Sequence, residues 1–141
     1  TGNVDFAPTI LKLAGLPTPD NMDGKDLMQL YQDPQSKIHE SLPLINVWGP
    51  KQAHSYAVVT ETWKYIYWPY QDEQMSPTEE LYDTGNDPGE LTDLSGIASA
   101  AGDLIRMRQI YDKAVQAWQK DAVPYHNYRK FGAHFQRLDS Q

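Results

Sequence analysis

Leu104, Met107, Tyr111, Ala114 and Trp118 recur at intervals of three, four, three and four residues. That is the stripe a helix shows when one face lies on a packed surface, and Pro124 supplies its stop. Such a helix needs a surface, and the preceding residues supply one in a different period. Leu42 to Trp48 is rich in apolar and β-branched residues and ends at Gly49-Pro50. Tyr56 to Thr60 and Trp63 to Trp68 read as strands joined by a tight turn at Glu61-Thr62, with Glu80 to Asp83 as a fourth, shorter strand. Connections this short favour an antiparallel meander, because parallel pairing needs a crossover of about a dozen residues or more.

The N-terminal segment returns to helical spacing. Phe6, Ile10, Leu13 and Ala14 share a face, Asp5 is a plausible N-cap, Pro8 is tolerated in the first turn, and Gly15 and Pro17 stop the helix. A second, weaker helix runs from about Asp26 to Tyr31 and ends at Asp33-Pro34. The expected class is α+β: a four-stranded antiparallel sheet packed against a long C-terminal helix, with two short N-terminal helices. Residues 1–35 form a helical lead, 36–122 the sheet and long helix, and 123–141 a basic aromatic tail.

Composition narrows the function classes. With 40% hydrophobic and 11% aromatic residues the chain can bury a core, and no apolar run approaches the roughly 20 residues of a membrane span, so no membrane partner is expected. The net charge of −7 argues against nucleic acid as a partner. It is unevenly spread: residues 1–122 carry −9 and residues 123–141 carry +2. There are no cysteines, so no disulfide framework forms.

Three segments carry a family resemblance. Glu80-Leu81-Tyr82-Asp83-Thr84-Gly85-Asn86-Asp87-Pro88-Gly89-Glu90-Leu91-Thr92-Asp93-Leu94 resembles the E-L-Y-D-L-x-x-D-P-x-E-x-x-N-L segment near the C-terminus of type I sulfatases. Val4-Asp5-Phe6-Ala7-Pro8-Thr9-Ile10 through Pro17, followed by Asp23-Gly24-Lys25-Asp26-Leu27, is similar to that family's D-x-x-P-T-x-L-x-x-A-G-x-x-x-P helix and its continuation. Trp63-Lys64-Tyr65-Ile66 resembles the strand that precedes the E-L-Y-D segment. Asp26, Thr84 and Asp93 depart from the family's preferred Ser, apolar residue and Asn.

The resemblance implies the C-terminal subdomain of a secreted or periplasmic enzyme that hydrolyses sulfate esters, with carbohydrate sulfates as the expected substrates. It implies a formylglycine nucleophile and a calcium ion, both expected in a catalytic domain that this chain lacks and that would be its partner. The nearest match to the family's C/S-x-P-x-R motif, Ser41-Leu42-Pro43-Leu44-Ile45, has Ile45 in place of the required Arg. No catalytic residue and no metal ligand is therefore assigned here, and the chain alone is expected to be inactive. Separation from the catalytic domain would leave Phe6, Ile10 and Leu13 to mediate self-association. A phosphonate or phosphodiester hydrolase of the same alkaline-phosphatase-like superfamily shares the pattern, and a stand-alone glycan-binding module is the rival from another class.

Within the chain, Trp48, Lys51 and His54 are the candidate substrate-binding residues. They place an aromatic face, a cation and an imidazole in one connection, a set suited to a sugar ring and its anionic substituent. The acidic loop from Asp83 fails as an EF-hand, since Pro88 and Leu94 occupy the positions that need Gly and Glu; a capped turn in which Asp87 holds backbone N–H groups is expected instead. The tail, with Tyr125, His126, Tyr128, Phe131, His134 and Phe135 among basic residues, is expected to pack its aromatics on the body. His39 has no partner pattern and reads as a surface residue.

Overall fold

The computed structural model describes residues 1–70, 76–123, 125 and 127–138. Pro124 and His126, two residues of the sequence reading, lie outside them. The chain forms two compact units, Thr1–Leu42 and Pro43–Gln141.

In the first unit, α1 spans Phe6–Leu13 and α2 spans Met28–Gln32. Gly15, at φ 70°, ends α1: its N–H reaches the Lys12 carbonyl at 3.1 Å and the Leu16 N–H reaches Leu11 at 2.9 Å. This is the paired closure that a left-handed glycine permits.

Asp5 does not cap α1 with its side chain. The fully buried carboxylate accepts the Gly2 N–H at 2.7 Å and the Lys25 N–H at 2.8 Å, and meets His39 Nε2 at 2.7 Å. His39 is thus a partly buried residue paired with Asp5 and not a free surface one. Thr9 donates to the Asp5 carbonyl at 2.6 Å and accepts the Leu27 N–H at 2.9 Å. The D-x-x-P-T motif is therefore a clasp that fastens the start of α1 to residues 25–27. Asp26 accepts the Met28 N–H at 2.9 Å, supplying the acceptor that a serine would otherwise provide.

Burial pushes the Asp5 carboxyl up, but the hydrogen bonds from Gly2, Lys25 and His39 outweigh it and bring it down to about 2. A depressed carboxyl pKa contributes stability that is present above the unfolded value of 3.8 and lost as pH falls through about 2. The Asp5 carboxyl carbon should accordingly titrate near 2 by NMR, with the amides of Gly2 and Lys25 losing exchange protection in the same window. Titration at the ordinary value would contradict the clasp.

The second unit carries the sheet: β1 (Leu42–Asn46, entering from the last residue of the first unit), β2 (Ser55–Val59), β3 (Trp63–Trp68) and β4 (Thr78–Asp83), in the order β1-β2-β3-β4. Tyr56 stands opposite Tyr67 and Val58 opposite Tyr65, while Tyr65 and Tyr67 stand opposite Leu81 and Glu79. One face therefore presents Tyr56, Val58, Tyr65, Tyr67 and Leu81, all buried. The long helix α3 (Ala101–Asp121) lies on that face and buries Leu104, Met107, Tyr111 and Val115. Tyr111 is its pivot, with ring centroids 5.3, 5.2 and 5.8 Å from Tyr56, Tyr65 and Tyr67, all near edge-on. The α+β architecture is the one the periodicities predict.

The tail adds an element that the sequence reading lacked, α4 (Arg129–His134). Phe135, directly after it, is fully buried, and its carbonyl accepts the Tyr111 hydroxyl at 2.6 Å. Tyr125 is 84% exposed and Tyr128, whose ring lies 6.1 Å from that of Phe131, is 42% exposed, so the tail's aromatics are buried to different degrees.

The acidic loop after β4 is a capped turn. Asp87 Oδ2 accepts the N–H groups of Leu91 and Thr92 at 2.8 and 2.9 Å. Asp93 Oδ1 accepts the N–H of Leu81 on β4 at 3.0 Å, and the Leu81 carbonyl accepts the Leu94 N–H at 2.8 Å. Glu90 adopts φ 53°, a region that costs a residue with a side chain about 1 kcal/mol, and its carboxylate pairs with Lys64 at 2.6 Å.

Candidate functional site

The connection from β1 to β2 is built to hold a fixed shape. Asn46 Nδ2 donates to the Ala53 carbonyl at 2.9 Å, joining the end of β1 to the start of β2. Gly49 takes φ 86°, and a single 3-10 turn at Lys51–Ala53 follows Pro50. The three candidate residues are not equivalent on this frame. Trp48 is 73% exposed and Lys51 is exposed, whereas His54 is only 6% exposed. His54 therefore lies beneath the connection and does not offer its ring to solvent.

The His54 ring meets Phe131 of α4 edge-on at 5.6 Å and His134 edge-on at 5.5 Å. Sequence reasoning missed this neighbourhood. The spacing of Phe131, His134 and Phe135 around Gly132 was the available signal, since it places three rings within little more than one helical turn.

Charge pairing distinguishes Lys51 from the cations on the helix side of the sheet. Arg108 forms a two-pronged contact with Glu79, and Arg137 does so with Asp112 at 2.9 and 3.1 Å. Glu79 also accepts the Tyr65 hydroxyl at 2.7 Å. Burial raises the Glu79 carboxyl, but Arg108 and Tyr65 outweigh it and hold the carboxyl below its ordinary value. A cavity of about 220 Å³ opens beside this network, lined by Tyr67, Pro77, Thr78, Glu79, Arg137 and Leu138. Its arginine is already neutralised, so it offers an anion little. Lys51 has no ion-pair partner among the described residues and follows the exposed Trp48 by three residues.

Among the described residues, no group of three or more His, Cys, Asp or Glu side chains is placed to hold a metal ion. The chain also has no cysteine to be converted to formylglycine.

Comparison with known proteins gives the family. The model for the C-terminal region of N-sulphoglucosamine sulphohydrolase matches residues 1–109, and the chain belongs to that family. Human arylsulfatase K is 33% identical over 99 residues, 65% of this chain and 18% of the human protein. The Xenopus laevis arylsulfatase K is 31% identical over 101 residues, 66% of this chain and 18% of the relative. The chain thus spans less than a fifth of these relatives.

Among solved structures, BT4656 in complex with its substrate D-glucosamine-2-N,6-O-disulfate superposes with a TM-score of 0.72 at 24% identity, over 86% of this chain and 25% of that one. BT1596, a 2-O GAG sulfatase, gives 0.67 at 25% identity, over 83% of this chain and 25% of its own. The phosphonate monoester hydrolase of Agrobacterium radiobacter gives 0.57 at 16% identity, over 83% and 24%. At 24% and 16% identity, the likenesses to BT4656 and to the phosphonate monoester hydrolase concern the fold alone. No helix among the described residues is long and apolar enough to cross a membrane.

Proposed function

We propose that this chain is the C-terminal part of a secreted or periplasmic sulfatase that hydrolyses sulfate esters of carbohydrates. Its role is to brace the catalytic domain and to shape the outer substrate pocket. The observation that carries the reading is the family match across residues 1–109, which contains both the Asp5–Thr9 clasp and the capped loop after β4. The formylglycine and the calcium belong, on this reading, to the catalytic domain. The surface offered to that domain is the apolar face of α1, where Phe6, Ile10 and Leu13 are exposed. The same face would drive self-association of the chain by itself.

Within the pocket, Trp48 and Lys51 are the contacts. The indole covers a sugar face and the ammonium meets its sulfate, while His54 sets the connection from below. Neither contact touches the breaking bond, so both act on binding. In the full-length enzyme, Lys51→Ala is expected to raise KM roughly tenfold with kcat nearly unchanged, the loss of one charge-assisted hydrogen bond of about 1.5 kcal/mol. Trp48→Ala should behave alike. An unchanged KM for both on a sulfated glucosamine substrate would reduce the connection to a plain link between strands.

Because a phosphonate monoester hydrolase shares the fold, the chemistry is tested by substrate choice. The full-length enzyme should turn over a sulfated glucosamine and leave a phenyl phosphonate largely intact. The opposite preference would overturn the sulfatase reading.

A further inference from the structure

His54 and His134 form a pair that the proposed pocket does not use. His54 closes the 3-10 turn, its N–H donating to the Lys51 carbonyl at 3.1 Å. Its ring crosses that of His134 at 84°, and His134 in turn leans on Phe135 with centroids 5.1 Å apart. His54 Nδ1 and His134 Nε2 are both buried, and neither has a hydrogen-bond partner among the described residues. Each ring therefore keeps one nitrogen in a dry contact between α4 and the start of β2.

The surroundings favour the neutral form of the His134 ring. From the β1–β2 connection, Lys51 adds a positive charge, and on α4 Lys130 lies 5.0 Å over the Phe131 ring. From α3, Gln119 packs under Gly132 and carries no charge. Asp112 of α3 is already engaged by Arg137. A proton on His134 would put an N–H donor where no described residue accepts it, beside a second imidazole and a lysine. Burial is the largest cause holding the His134 imidazole below its ordinary value, followed by the charges of His54 and Lys51.

We propose that His54 and His134 form a proton-operated latch that holds α4 on the sheet at neutral pH and releases it in mild acid. A histidine with a lowered folded pKa contributes docking stability that is complete above the ordinary value near 6.5 and is lost as pH falls below it. Release exposes Phe131 and frees the base of the connection that carries Trp48 and Lys51. The latch stands whether or not that connection touches a ligand, because its readout needs none.

The test is amide exchange in the ligand-free chain at pH 7.5 and 5.0, corrected for the intrinsic pH dependence of exchange. Amides at the end of α4, such as that of Phe135, which donates to Phe131 at 3.0 Å, should open about tenfold more at pH 5.0. Amides in the middle of α3 should not change. His134→Phe keeps an aromatic ring against Phe135 but cannot take a proton, and should abolish the response. His54→Phe is the second arm and should do the same if the first variant folds poorly. Protection of α4 that is indifferent to pH in the wild-type chain, or a pH response that survives in both variants, would overturn the latch.

Discussion

Tyr111→Ala is expected to lower the stability of the second unit by about 4 kcal/mol, the range for removing a buried aromatic side chain without collapse of the space it leaves. Tyr111 is fully buried and touches three tyrosine rings on two strands, so no single neighbour can swing in to fill the gap. Tyr111→Phe separates the two contributions. It keeps the ring but leaves the Phe135 carbonyl without its 2.6 Å donor, and should cost about 1 kcal/mol. Urea unfolding followed by tyrosine and tryptophan fluorescence reads both. An alanine variant that loses less than its phenylalanine counterpart would mean that Tyr111 is not the pivot of the layer.

Gly24→Ala should be the most damaging single methyl in the first unit. A Cβ at position 24 would stand 3.0 Å from the Asp5 Cα and closer still to the Val4 carbonyl, and both obstacles are backbone. No rotamer change relieves that clash, so the upper end of an overpacking penalty applies, about 3 kcal/mol. Exchange at the amides of Lys25 and Leu27 gives a direct reading, because these donate to Asp5 Oδ1 and Thr9 Oγ1 across the contact that would be forced apart. Retained protection at both would show that the backbone can yield there. The glycine in the D-G pair is thus explained by a close approach of two chain segments and not by a turn conformation.

How much of this was legible in the sequence depended on the reach of each interaction. The strands and α3 announced themselves because burial repeats every two residues or every three to four, a signal contained within each element. The capped loop was legible for the same reason, since Asp87 holds N–H groups only four and five residues away. Asp5 was misread as a helix cap because its true partners, Lys25 and His39, lie 20 and 34 residues along the chain. No local pattern marks such a carboxylate.

At the candidate site, the connection was found as a cluster of suitable side chains, but sequence order could not tell that Trp48 faces outward and His54 inward. Helix α4 escaped because its six residues are too few for a periodic pattern, and its packing is set by Tyr111 and His54 from elsewhere in the chain.

The bond from Leu81 to Asp93 has a consequence for the protein's life in solution. β4 is a border strand, and a border strand that shows free N–H and C=O groups is a template on which other chains can polymerise. Here the loop turns back, so that Asp93 takes the Leu81 N–H and Leu94 gives its own to the Leu81 carbonyl. The opposite border, β1, contains Pro43, which has no N–H to offer. Both rims of the sheet are thereby made poorer seeds for fibril growth.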